Sequence, residues 1–117
     1  MRHRKKRAIL DRKSGPRTGL LRSLFRALIT YGHITTTTAR AKAVRAMAEK
    51  ALSTASTPTL SHRRILIELT GSPQLVARTI ETAKKYEHRN SGYIRIYRRM
   101  HRKGDGAQTV TVTLLHN

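Results

Sequence analysis

The stretch GLLRSLFRALITYGHITTTTARAKAVRAMAEKAL, residues 19–52, changes its apolar period twice, and those changes decide the fold. Leu20, Leu21, Leu24, Phe25, Leu28 and Ile29 recur at i, i+1, i+4, i+5, i+8 and i+9, a single stripe on a helix. The spacing predicts a helix over 18–31, with Gly32 as its terminator and with Arg22 and Arg26 one turn apart on a flank of the stripe. His33-Ile34-Thr35-Thr36-Thr37-Thr38 is β-branched and too short for a helix, so a brief strand follows. Thr37 or Thr38 then caps a second helix. Val44, Met47, Ala48, Ala51 and Leu52 form its apolar face, while Ala39, Ala41, Ala43 and Ala46 supply propensity and close approach.

Downstream, Ser53 to Ser56 reads as a polar connector, and Thr57-Pro58 as an N-cap with proline at the first helical position. A short third helix is expected to turn Ile65, Leu66 and Leu69 inward and to end near Gly71. Ser72-Pro73 repeats the start signal, and Leu75, Val76, Thr79, Ile80 and Ala83 mark a fourth helix that frays at Lys84-Lys85-Tyr86. The period then becomes two. In Tyr93-Ile94-Arg95-Ile96-Tyr97-Arg98-Arg99, Ile94 and Ile96 point one way, and Tyr93, Arg95, Tyr97 and Arg99 the other. Arg102-Lys103-Gly104-Asp105-Gly106 is a turn, and Thr109 to Leu114 alternates again, with Val110, Val112 and Leu114 on the core side. These two strands form an antiparallel hairpin. Upstream, residues 1–17 read MRHRKKRAILDRKSGPR, nearly half basic, a basic arm before a single domain over 18–117.

Charge narrows the partner. The 117 residues hold 25 lysines and arginines against six acids, a net charge of +19. Solubility needs a magnitude of only about 2–8. An excess this large opposes compaction and attracts a dense polyanion, and nucleic acid releases condensed counterions when basic side chains replace them. The candidate contacts are Arg2, His3, Arg4, Lys5, Lys6, Arg7, Arg12, Lys13 and Arg17 in the arm, with Arg22 beside the first stripe. Arg40 and Lys42 follow at the start of the second helix, where cations oppose the helix dipole unless a phosphate docks there. Arg63 and Arg64 stand in the same position on the third helix. Tyr93, Arg95 and Arg99 lie on the outer face of the late strand, where Tyr93 and Tyr97 serve either to stack on splayed bases or simply as strand-favouring residues, and Arg102 and Lys103 occupy the turn.

Other classes find little support. The absence of cysteine excludes disulfides and thiolate zinc. His88 and His101 flank the late strand without a third metal ligand at a recognisable spacing, and Gly104-Asp105-Gly106 lacks the strand–loop–helix setting of a phosphate-cradling loop. Asp11, Glu49, Glu68, Glu81, Glu87 and Asp105 are scattered without an acid/base pair; Glu49, one turn after Arg45, balances local charge. No catalytic residue, cofactor, metal or small-molecule substrate is expected. Asp11, Arg12 and Lys13 interrupt any signal-peptide core, and no apolar run reaches a membrane-spanning length, so the expectation is a soluble intracellular protein with no membrane partner.

Three blocks, MRHRKK at the start, residues 19–52, and SGYIRIYRRMHRKGDGAQTVTVTLL over 91–115, occur in order at matching spacing. Together they resemble the ribosomal protein L-seventeen family of the bacterial large subunit, over essentially the whole chain; Ser91 stands where the family has a glycine. The resemblance implies an α+β fold of two layers, in the order helix, strand, three helices, two strands, with a small three-stranded mixed sheet packed on the helices. It implies a non-enzymatic structural constituent of the cytoplasmic large ribosomal subunit, bound to large-subunit ribosomal RNA near the peptide exit tunnel. Its partners would be that RNA and neighbouring large-subunit proteins, with no free homo-oligomer. Arg2, His3, Arg4, Lys5 and Lys6 match the family's RNA-contacting start, Arg40 and Lys42 its second block, and Tyr93, Arg95 and Arg99 its late block. The alternative is a basic DNA-binding or nucleoid-type protein, whose two consecutive helices would form a helix-turn-helix; the strand-like His33 to Thr38 between them speaks against it.

Overall fold

Phe25, Leu28 and Ile29, in the stripe that opens the fold, are buried, and Leu24 packs against them. They sit on α1 (Ser14–Tyr31) of a computed structural model that describes residues 3–115. The helix begins four residues before the expected Thr18. Ser14-Gly15-Pro16 forms its first turn rather than a break, because a proline there lacks only an N–H that would have no helical partner. Gly32 ends α1 at φ +79°, its N–H donating to the Leu28 carbonyl at 2.8 Å. The chain enters β1 (His33–Thr37) directly and then α2 (Thr38–Ala55), with Thr37 as N-cap.

Helix α2 is the axis of the molecule, lying against every other helix and all three strands. Buried Ala41, Ala48, Ala51 and Ala55 let neighbouring backbones approach closely, while Val44 and Leu52 fill the space between. Each fully buried large aliphatic side chain contributes about 1.5–3 kcal/mol. The same face explains why α2 continues through Ser53 and Thr54, expected as a connector: Ala55 at its end is still core.

Helix α3 (Leu60–Thr70) starts later than the Thr57-Pro58 signal suggests. The Thr59 N–H closes a tight turn on the Thr57 carbonyl at 2.8 Å, and the Thr59 hydroxyl caps the helix by accepting from the His62 N–H at 3.3 Å. Leu66 and Thr70 face inward and Leu69 is partly buried, but Ile65 is 42% exposed. At 100° per residue, consecutive Ile65, Leu66 and Ile67 cannot all face α2. Helix α4 (Pro73–Lys84) follows its pattern, with Leu75, Val76, Thr79, Ile80 and Ala83 buried and the Thr79 hydroxyl donating to the Leu75 carbonyl at 2.7 Å.

The sheet has the order β1-β3-β2, with β2 spanning Ile94–His101 and β3 spanning Gln108–Leu114. It is antiparallel throughout, which corrects the expected mixed sheet. Strands β1 and β2 do run in the same direction, but β3 lies between them and pairs with both. Ile34 and Ile96 are the partners of Val112 from either side, and with Val110, Leu114 and Ile94 they make the core face. Helices α1 and α2 cover that face; α3 and α4 back them without reaching a strand. The expected two layers and element order are present, and among the described residues the other sheet face carries no helix.

Candidate nucleic-acid interface

The uncovered sheet face follows from the pleat. Register sets His33, Thr113 and Arg95 in one row and Thr35, Thr111 and Tyr97 in the next, with Thr37 and Thr109 paired beyond them. Arg99 reaches across β3 to place Nη1 3.4 Å from the Thr35 hydroxyl. The Arg95 guanidinium lies 6.0 Å from the centre of the Tyr97 ring, and the Thr35 and Thr111 hydroxyls are 3.4 Å apart. None of these residues is acidic. The face therefore combines cations for phosphates, hydroxyls for sugar oxygens and one half-exposed ring for a base.

The hairpin beyond this face is braced. Arg98 pairs with Val110 and His101 with Gln108, so Arg99 and Met100 together oppose Thr109 alone, a β-bulge. In the turn, Arg102 holds Asp105 through Nε–Oδ1 at 3.1 Å and Nη2–Oδ2 at 2.5 Å, while Asp105 Oδ1 also accepts from the Ala107 N–H at 3.1 Å. The Arg102 side-chain hydrogen bonds, then the Ala107 N–H, hold the Asp105 carboxyl well below the usual carboxylate range. The same hydrogen bonds raise the Arg102 guanidinium. Lys103 is exposed beside them.

Two further basic groups lie outside the strands. The Thr38 hydroxyl donates to the Gln108 carbonyl at 3.4 Å, so the start of α2, with half-buried Arg40 and exposed Lys42, lies at the hairpin end of the sheet. His3 to Lys13 carry no helix or strand and are exposed apart from half-buried Leu10. Arg4, Lys5, Lys6 and Arg7, with Ile9 and Arg17, line a cleft of about 400 Å³. Arg12 and Lys13 are exposed beside the first turn of α1, and Arg63 and Arg64 on α3, while Arg2 lies outside the described residues.

Two expected contacts belong to the fold instead. Tyr93 is only 3% exposed, its ring 5.3 Å from that of Tyr86 and its hydroxyl donating to the Arg89 carbonyl at 3.1 Å. It precedes the strand, and Gly92 at φ +71° directs it inward, so the pleat does not govern it. Arg22 is half-buried, with Nη2 donating to the Glu68 carbonyl at 2.8 Å near the end of α3. Glu49, read as balancing Arg45, instead accepts from the Ile94 N–H at 3.2 Å and tethers the start of β2 to α2. Arg98 and Met100, both exposed, were not among the expected contacts. An arginine in a core-side row was the available signal that the hairpin outruns its helical cover.

Among the described residues no three His, Asp or Glu side chains converge as a metal site, and no helix is long and apolar enough to cross a membrane. Helices α1 and α2 are joined by a paired strand, which is not the tight turn of a helix-turn-helix. Residues 20–115 match the family model described as Ribosomal protein L17. The chain belongs to the ribosomal protein L17 family. It is 37% identical over 116 residues to the "Large ribosomal subunit protein bL17" of Dictyoglomus thermophilum, an alignment covering 98% of this chain and 100% of that protein. Family membership makes the chain a structural constituent of the large subunit of the cytoplasmic ribosome rather than an enzyme.

Proposed function

We propose that the chain binds large-subunit ribosomal RNA through phosphate and shape contacts made by its sheet face, its hairpin and its basic N-terminal arm. The observation that carries this reading is the helix-free sheet face, which holds Arg95, Arg99, Tyr97 and five threonines without a carboxylate. Duplex RNA offers phosphates and 2′-hydroxyls across a shallow groove, the complement of such a surface. The arm, with Arg2, His3, Arg4, Lys5 and Lys6, orders on the RNA as its charge is neutralised. Neighbouring large-subunit proteins complete the surroundings, in the position near the peptide exit tunnel that the family resemblance implies.

Binding to large-subunit ribosomal RNA and to duplex DNA, measured in competition across a salt series, tests the proposal. RNA should win, with log K falling by about 0.7–0.9 per tenfold rise in salt for each phosphate neutralised. A preference for DNA would overturn it. Cross-links from the exposed arginines in assembled large subunits test the position near the exit tunnel.

A further inference from the structure

Met100 is 88% exposed, the most exposed of the large apolar side chains among the described residues. Its setting is built. The bulge that turns it outward is stapled from the opposite strand: the Thr109 hydroxyl donates to the Met100 carbonyl at 2.8 Å, and the Gln108 side-chain amide donates to the Arg99 carbonyl at 2.7 Å. Below it, the Gly106 N–H donates to the Arg102 carbonyl and the Arg102 N–H to the Ala107 carbonyl, both at 3.0 Å, and the Arg102–Asp105 pair locks the turn. A bulge re-aims a side chain, and here it aims an unbranched apolar one away from any core.

The surroundings select the occupant. Four of the six residues from Arg98 to Lys103 are lysine or arginine, so a second copy of this hairpin would be repelled. A polyanion with an apolar interior satisfies both the charge and the thioether. Nucleic acid is such a partner, since apolar wedges, methionine among them, enter between base steps while flanking cations hold the phosphates. Resting on the RNA-binding reading above, we propose that Met100 is a wedge that packs against an unstacked base step of folded RNA, at a bulge or helix end. Arg98, Arg99 and Lys103 would grip the phosphates on either side.

An apolar contact and a phosphate contact differ in their response to salt, and that difference is the test. Full-length chains are titrated with large-subunit ribosomal RNA over a series of potassium chloride concentrations. Met100→Ala is expected to weaken binding about tenfold at every concentration without changing the salt slope. Met100→Leu should restore most of the loss, and Arg99→Ala should flatten the slope. Unchanged affinity in Met100→Ala, or a loss confined to low salt, would overturn the inference while leaving RNA binding intact. Failure of the unsubstituted chain to bind would overturn both. A photo-cross-linker at position 100 should mark RNA in assembled subunits, and cross-linking to protein alone would overturn the wedge.

Discussion

Arg22 Nη2 donates to the Glu68 carbonyl at 2.8 Å, and the guanidinium lies where a side chain on Gly71 would have to go. A cation thus satisfies a carbonyl in the last turn of α3, the favourable end of the helix dipole. Gly71, at φ +74°, is needed twice, for its left-handed backbone and for the space its missing Cβ leaves, 3.1 Å from the Arg22 guanidinium. Gly71→Ala should destabilise the protein by about 1–2 kcal/mol from the backbone alone. In an Arg22→Ala background the steric part vanishes and the backbone part remains. Denaturant unfolding of the four proteins in that cycle should show coupling, and additive effects would refute it.

Tyr93 and Tyr97 separate stability from binding. Tyr93→Phe removes a hydrogen bond in the core and should lower stability by about 1 kcal/mol. Its RNA affinity should be unchanged. Tyr97→Ala should do the reverse, weakening RNA binding by about 1–3 kcal/mol with the folding midpoint in place. Paired urea and RNA titrations would check both.

Tyr86 predicts an alkaline effect. Burial raises its phenol above the ordinary value, with nearby Arg89 opposing, and its hydroxyl donates to the Leu115 carbonyl at 2.5 Å. The folded state therefore holds this proton more tightly than the unfolded chain. The resulting stability is fully present below about pH 10 and is lost as pH rises through the raised folded value. Absorbance at 295 nm should show a tyrosine ionisation above the ordinary value, and Tyr86→Phe should remove that late step.

Asp105 predicts an acid effect of opposite sign. Its folded carboxyl is depressed by the Arg102 hydrogen bonds, so its contribution is present above the ordinary aspartate value and fades as pH falls through the folded one. NMR should show the Asp105 carboxyl still ionised below the ordinary aspartate value. In Asp105→Asn, faster amide exchange at Gly106 and Ala107 is expected.

The parts of the fold legible in the sequence are those where period and burial coincide. The second half of the α1 stripe (Phe25, Leu28, Ile29), the α4 pattern after Ser72-Pro73 and the alternation of β3 bury the residues their spacing names, whereas Leu20 and Leu21 are only partly buried. Legibility fails where a tertiary partner decides. Ile65 faces out because α2 accepts only one side of α3. Tyr93 turns inward because Gly92, not the strand, sets its direction. Arg22 and Glu49 look like surface charge until residues 46 and 45 positions away prove to be their partners. Of the proposed interface, Arg95, Arg99 and the basic arm are visible in the pattern. The staple that turns Met100 outward is not, since it depends on hydroxyl and amide groups of the opposite strand.

The strand order carries a consequence for synthesis. Strand β3, the final element of the order, is the one both other strands pair with. A ribosome releases the chain from its N-terminal end, so β1 emerges with no strand beside it, and Ile34 waits for Val112 across an interval of 78 residues. Such long-range pairing is slow to form. The threonine rows and the braced hairpin therefore come into existence together, only once β3 has left the ribosome. A chain truncated before β3 could keep its four helices yet present no sheet to RNA, so an incomplete copy would be set apart from a finished one before assembly begins.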